Sequence, residues 1–177
     1  MPDNPTTRRL FFALWPDDEV RHQVSQHIMP NLQSLNGRKV SQPQWHITLA
    51  FLGNVTDEVM QCAIEQANQI TSAPFEIELD VVGHWSRPKV VWLGCHDRPK
   101  EMQSLVTALN SELKQCSYEP EYQDFKPHMT LMRKVTRKPK PFQFEPIQWH
   151  LKQFVLVESQ VDNSGSSYKI INQWNLC

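Results

Sequence analysis

The chain has 177 residues, 40% of them hydrophobic and 21% charged, with a formal net charge of −1. That length and apolar content suit one compact domain with a buried core and exclude a globally disordered chain. The near-zero charge excludes a bulk polybasic binder of nucleic acid or membrane, so any such contact has to come from a local patch.

The amino terminus through Arg9 is polar and lacks the apolar stretch of a signal peptide. Leu10-Phe11-Phe12-Ala13-Leu14 is a short apolar run stopped by Trp15-Pro16, which predicts a buried strand. Pro16 followed by Asp17, Asp18 and Glu19 predicts a helix start. Val20, Val24 and Ile28 give that helix one apolar stripe, and Pro30 is expected to end it. Residues 31–44 are polar, contain Gly37 and Pro43, and read as a loop. Residues 45–52 read as a strand closed by Gly53. Thr56 is the expected N-cap of a helix whose apolar face is Val59, Met60, Ala63, Ile64, Ala67 and Ile70, broken by Pro74.

Residues 75–81 alternate strictly, the pattern of a half-buried strand. Residues 90–93 read as a second strand, the two forming a hairpin across Ser86-Arg87-Pro88-Lys89. Met102, Leu105, Val106, Leu109 and Leu113 write a third helix. A strand at 128–132, a basic loop at 133–140, a strand-rich stretch at 147–157, a turn at Asn163-Ser164-Gly165 and a closing strand at 168–174 complete the chain. The order β-α-β-α-β-β-α-β-β-β is not a regular βαβ alternation, so the class is α+β with antiparallel or mixed sheets. No apolar run is long enough to span a membrane. Cys62, Cys95, Cys116 and Cys177 are scattered without a C-x-x-C. They read as reduced thiols of a cytoplasmic protein, with neither zinc knuckle nor dithiol motif.

One feature carries the chemistry. His46-Ile47-Thr48-Leu49 in the first half returns as His128-Met129-Thr130-Leu131 in the second, 82 residues on (128 minus 46). By chance this composition would yield on the order of 0.03 copies of His-x-Thr-Leu. On a strand, residues two apart share a face. Each copy therefore buries two apolar side chains and offers an imidazole and a hydroxyl opposite. If the halves pack about a pseudo-two-fold axis, the two polar pairs face each other across one cleft. Imidazole titrates near neutrality, so one histidine can take a proton while the other gives one. Two imidazoles and two hydroxyls suit a phosphodiester, with the histidines on either side of phosphorus and the threonines on the non-bridging oxygens. A zinc site would need a further ligand, which His84, His96 and His150 do not supply by spacing.

Paired H-x-T-x motifs about eighty residues apart resemble the two-histidine (2H) phosphoesterase superfamily. More narrowly, the chain resembles the bacterial RNA 2′,3′-cyclic phosphodiesterases, also called 2′-5′ RNA ligases (the LigT/ThpR group). The resemblance covers nearly the whole chain. It includes Leu10-Phe11-Phe12-Ala13-Leu14, Ala50-Phe51-Leu52-Gly53 after the first motif, and Val90-Val91-Trp92-Leu93-Gly94. It also includes Pro127 and Met132-Arg133 around the second motif, and Ser159 and Tyr168 around a short turn.

The resemblance implies a single bilobal domain over residues 1–177: two pseudo-symmetric lobes, helices outside, and the active cleft between. It implies hydrolysis of an RNA 2′,3′-cyclic phosphate to a 2′-phosphate without metal or other cofactor. His46 is the implied proton donor, His128 the proton acceptor, and Thr48 and Thr130 the phosphate ligands. The reverse direction joins the cyclic phosphate to a 5′-hydroxyl in a 2′-5′ linkage. The implied partner is RNA with a cyclic phosphate end, tRNA fragments among the candidates, handled by a monomer without membrane contact. The family often carries arginine within the segment that here reads Asp162-Asn163-Ser164-Gly165-Ser166-Ser167, where this chain has none.

Supporting residues each have two readings. Arg133 either stabilises charge growing on phosphate or is a solvated strand-end arginine. The run Arg133, Lys134, Arg137, Lys138, Lys140 either guides an RNA backbone or is a solvated loop. Phe11 and Phe12 point to opposite faces; one reaches the cleft as a base platform, or both pack in the core. Tyr168 is a candidate floor of the cleft, and Trp45 reads as core. The competing functions are a non-catalytic RNA-end binding module and a phosphodiesterase for a small cyclic nucleotide.

Overall fold

The computed structural model describes residues 7–120, 124–162 and 165–177. In chain order the strands are β1 (Thr7–Leu14), β2 (Arg38–Lys39), β3 (Ile47–Thr56), β4 (Phe75–Leu79), β5 (Val81–Trp85), β6 (Val90–Gly94), β7 (His128–Arg133), β8 (Ile147–Leu151), β9 (Gln153–Asp162) and β10 (Gly165–Asn175). The α-helices are α1 (Asp18–Gln23), α2 (Asp57–Ala67) and α3 (Lys100–Leu113).

One sheet runs β10-β9-β1-β3-β7-β6-β5, with β2 added to β7, while β4 and β8 form a separate ribbon. Every strand pairing is antiparallel. The class is α+β, as the element pattern implies. The two halves of the sheet meet at β3 and β7, which share a single partner pair, Ile47 and Met129. These are the middle residues of the two motifs, 82 positions apart (129 minus 47). Both have 0% exposure, buried in the main core with Leu49, Leu131 and the apolar stripes of the helices. A second, smaller cluster of Phe11, Ala13, Val155 and Val157 lies on the other face of β1 and β9, with Trp15, Phe51 and Tyr168 packed on it.

The halves also share a defect. Ala13 pairs with Thr48 and Phe12 with Ala50, so Leu49 is an unpaired bulge residue. Trp92 pairs with Thr130 and Val91 with Met132, so Leu131 bulges in the same place. A bulge resets the alternation by one residue. Phe51 and Arg133, which strict alternation would send to the opposite face from His46 and His128, are thereby returned to the histidine face.

Several local expectations are corrected. Helix α1 begins at Asp18, so Pro16 precedes it rather than opening it, and Asp17 is its cap, the side chain accepting from Val20 N at 2.9 Å. Pro30 does not end the helical segment but enters a 3-10 turn, Met29–Leu32, beyond a π turn. A proline tolerates that position because the first N–H groups of a helical turn have no internal partner. The loop at 31–44 contributes β2 and a 3-10 turn, Gln42–Gln44. Gly53 lies inside β3 at φ 73° rather than closing it. The hairpin partner of β6 is β5, not the alternating strand before it, which pairs with β8. Residues 147–157 split likewise into β8 and β9. Thr56 caps α2 as expected, and Asn163 and Ser164 of the expected turn lie outside the described residues.

The thiol expectation is also corrected. Cys62 of α2 and Cys116, in a 3-10 turn after α3, form a disulfide. Packing α2 against α3 brings their Cα atoms to 5.7 Å, a proximity that sequence spacing cannot show. Cys95 and Cys177 are free thiols. Among the described residues, no helix is long and apolar enough to cross a membrane.

Candidate active site

The antiparallel pairing of Ile47 with Met129 sets His46 level with Thr130 and Thr48 level with His128. With Ile47 and Met129 turned into the core, all four polar side chains face the other way. They line one cavity of about 300 Å³, together with Arg38, Gln44, Arg133, Ser166 and Tyr168. A continuation over the first half of the sheet adds Arg9, Phe11, Phe51 and Ser159.

The two imidazoles are held alike. His46 Nδ1 lies 2.7 Å from the carbonyl of Gln44, and His128 Nδ1 lies 2.7 Å from the carbonyl of Lys126. A carbonyl oxygen only accepts, so each Nδ1 carries the proton and each neutral ring keeps Nε2 as its unprotonated nitrogen. Aromatic rings fix their planes. His46 is stacked on Trp15 (centroids 5.4 Å apart, planes at 11°), with Phe11 at 4.8 Å and Tyr168 edge-on at 5.3 Å. Among the described residues His128 has one such neighbour, Trp85, edge-on at 4.6 Å. Trp92 lies beside Trp85, over Gly83, where a Cβ would overlap the indole.

Burial pushes the pKa of His46 down to about 4, and the charges of Arg133, His128 and Arg21 push the same way. Burial and Arg133 lower His128 as well. Both rings are therefore neutral at pH 7 in the open cleft, and an anion placed between them favours protonation of either. The hydroxyls of Thr48 and Thr130 make no hydrogen bond to other described residues, which leaves both as donors to such an anion.

The charge of the cavity is one-sided. Arg38 and Arg133 are cross-strand partners on β2 and β7, and both line the cavity. Among the described residues neither has a carboxylate partner, and no acidic side chain lines either part of the cavity. A protein of net charge −1 thus gathers Arg9, Arg38, Lys39 and Arg133 at one place. Among the described residues no group of three or more His, Cys, Asp or Glu gathers as a metal site.

The family described as the 2′-5′ RNA ligase superfamily matches residues 16–163. The chain belongs to this superfamily. The Escherichia coli RNA 2′,3′-cyclic phosphodiesterase is 31% identical over 173 residues, covering 96% of this chain and 97% of the relative. A protein of the same name from Archaeoglobus fulgidus is 33% identical over 135 residues, covering 74% and 75%. A crystal structure of E. coli LigT with 3′-AMP superposes with a TM-score of 0.81 at 29% identity, covering 97% of this chain and 99% of that one.

Within this 2′-5′ RNA ligase fold, all seven residues singled out from sequence stand together. His46, Thr48, His128, Thr130, Arg133 and Tyr168 line the main cavity and Phe11 its continuation. Phe11 is only 4% exposed and underlies His46, so it supports that ring rather than offering a free platform for a base. Tyr168 and Ser159 are direct partners across β9 and β10. Of the basic run at 133–140, Arg133 alone lines the cavity. Trp15, Arg38, Lys39, Gln44 and Trp85 carry no functional signal in the sequence pattern. Arg38 and Lys39 sit in a strand of two residues, too short for a periodic signal, and Trp15 reads in sequence only as the stop of a strand. Trp45 is core, its Nε1 donating to the carbonyl of Val40 at 3.1 Å.

Proposed function

We propose that this protein hydrolyses the 2′,3′-cyclic phosphate at the end of an RNA to a 2′-phosphate, and that it joins the same end to a 5′-hydroxyl when that group takes the place of water. The observation that carries this reading is the paired register at Ile47 and Met129, which brings two identically tethered imidazoles, and two hydroxyls with no partner among the described residues, to one cationic cavity. The names of the relatives support the same substrate class.

In the proposed reaction the anionic phosphate lies between the histidines, with Thr48, Thr130 and Arg133 donating to its non-bridging oxygens. Nε2 of His128 takes a proton from water as its oxygen attacks phosphorus. The bond from phosphorus to the 3′ oxygen breaks, and His46 gives that oxygen its proton. The bound anion raises the proton affinity of both rings, so the imidazolium forms with substrate in place. When a 5′-hydroxyl replaces water, the same steps make a 2′-5′ linkage; run backwards, the two histidines exchange roles. One chain supplies every group, which suits a monomer. The proposed substrates include tRNA fragments, and the proposed place of action is the cytoplasm.

The test is incubation of an oligonucleotide ending in 2′,3′-cyclic phosphate with the protein in EDTA. A 2′-phosphate product with a bell-shaped pH dependence is the expected result. A 3′-phosphate product, or no turnover on this end alongside turnover of a cyclic mononucleotide, overturns the assignment. Binding without turnover would make the protein an RNA-end binding module instead.

A further inference from the structure

A larger cavity of about 510 Å³ adjoins the histidine cavity and shares Thr48 with it. Its walls include Phe51, Trp85, Arg87, Asn110, Tyr118 and Phe125. The two cavities differ in character. The histidine cavity holds Arg38, Lys39 and Arg133. The groove holds four aromatic rings, and of its two cations Lys126 is 3.8 Å from Asp124.

Residues that hold His128 also reach the groove. Trp85, edge-on to His128, lines it, and so does Lys126, whose carbonyl tethers His128. None of the three rings around His46 lines it.

We propose that this aromatic groove seats the nucleoside carrying the free 5′-hydroxyl in the joining reaction, a seat that hydrolysis does not use. The inference rests on the roles assigned to His46 and His128 above. In joining, the 5′ oxygen forms the new bond to phosphorus and its proton passes to Nε2 of His128. The bond from phosphorus to the 3′ oxygen breaks, and that oxygen takes the proton of His46. The product is a 2′-5′ phosphodiester and a 3′-hydroxyl. The nucleophile enters on the His128 side, so the nucleoside bearing it must lie there too.

The chemistry of the groove fits such an end. A 5′-hydroxyl terminus has no terminal phosphate, so the first thing it presents is an uncharged nucleoside. Aromatic walls stack a base without regard to its identity. Asn110 contributes a buried Oδ1 with no hydrogen-bond partner among the described residues, an acceptor suited to a base N–H. The first phosphate of this strand lies one nucleoside farther out. Arg87 is exposed, lines the groove and has no carboxylate partner among the described residues. Attack by water needs none of these contacts.

The experiment compares the full chain with Phe125→Ala and Arg87→Ala in two reactions. One is hydrolysis of an oligonucleotide ending in 2′,3′-cyclic phosphate. The other is joining of that end to a 5′-hydroxyl oligonucleotide, read together with its reverse, cleavage of a 2′-5′ linked strand. Phe125→Ala is expected to lose joining and cleavage about 10-fold or more. Its kcat/KM for hydrolysis should stay within about two-fold, which also shows that the variant folds. Arg87→Ala should raise KM for the 5′-hydroxyl strand several-fold and flatten its salt dependence. Parallel loss of hydrolysis and joining overturns the proposal, because the groove then serves the cyclic phosphate end. Unchanged joining in both variants overturns it as well. A wild-type protein that hydrolyses but neither joins nor cleaves overturns it while leaving the proposed hydrolysis intact. A wild-type protein that does not hydrolyse the cyclic end removes both.

Discussion

Arg38 and Arg133 stand directly opposite each other across the β2–β7 ladder, both lining the histidine cavity, and no described carboxylate neutralises either. Like charges placed opposite each other on a ladder cost stability, about 0.2–1 kcal/mol. The arrangement makes sense when an anion completes it. Arg133→Gln should leave the fold as stable as before or a few tenths of a kcal/mol more stable, yet lower kcat/KM for the cyclic phosphate on the order of 10²-fold. Urea unfolding and steady-state kinetics on the same preparation test both halves of the expectation. A variant that loses stability and activity together would contradict it.

The same pair predicts a ligand effect on stability. Inorganic phosphate is expected to bind only the folded cavity and so to raise Tm in proportion to the logarithm of its concentration above Kd. Chloride at matched ionic strength should not. The phosphate effect should vanish in the double variant Arg38→Gln, Arg133→Gln, as read by thermal unfolding.

His46 is held neutral against an ordinary pKa of 6.5, at about 4, mainly by burial. The folded state therefore binds fewer protons than the unfolded state between these values. Stability is fully present above pH 6.5 and falls as the pH drops toward 4, by on the order of 3 kcal/mol across that window. His46→Asn keeps a donor for the Gln44 carbonyl but does not titrate there. Its stability should be flatter over the same range, and equal slopes in the two proteins would refute the account.

The same displacement sets the pH dependence of catalysis in the free enzyme. In the proposed reaction the active form carries one proton on the histidine pair. Since both pKa values are lowered, kcat/KM should peak between about pH 4 and pH 6.5. The optimum for kcat should lie higher, because bound phosphate raises both values. Trp15→Leu removes the ring stacked on His46 and admits water, so the titration of His46 by NMR should move up toward 6.5.

His46→Asn and His128→Asn should each lower kcat by about 10²–10⁴, the usual contribution of a positioned acid or base. Thr48→Val and Thr130→Val each remove one neutral donor and should cost about 10-fold. A threonine variant slower than both histidine variants would reverse the proposed ranking.

The histidines, the threonines and the class of the fold were legible because they depend on patterns that repeat: one tetrapeptide twice, and apolar stripes at helical spacing. What stayed hidden depends on events between elements. Strict alternation from His128 would turn Arg133 away from the cleft, and only the bulge at Leu131 returns it. The break at Asp80, where the chain leaves the ribbon for the main sheet, falls between an alternating strand and β5, whose residues are all half-buried and carry no alternation. Arg38 reached the site through a two-residue pairing, and the disulfide between Cys62 and Cys116 through helix packing.

The tethers of the two imidazoles are main-chain atoms, the carbonyls of Gln44 and Lys126. Every amino acid owns that oxygen. Replacement at either position by a residue that keeps the local backbone leaves the acceptor in place, whatever it does to other contacts of the side chain. Mutational drift can rewrite both letters without loosening the clamp, so residue-by-residue comparison of relatives would pass over two of the positions on which ring orientation depends.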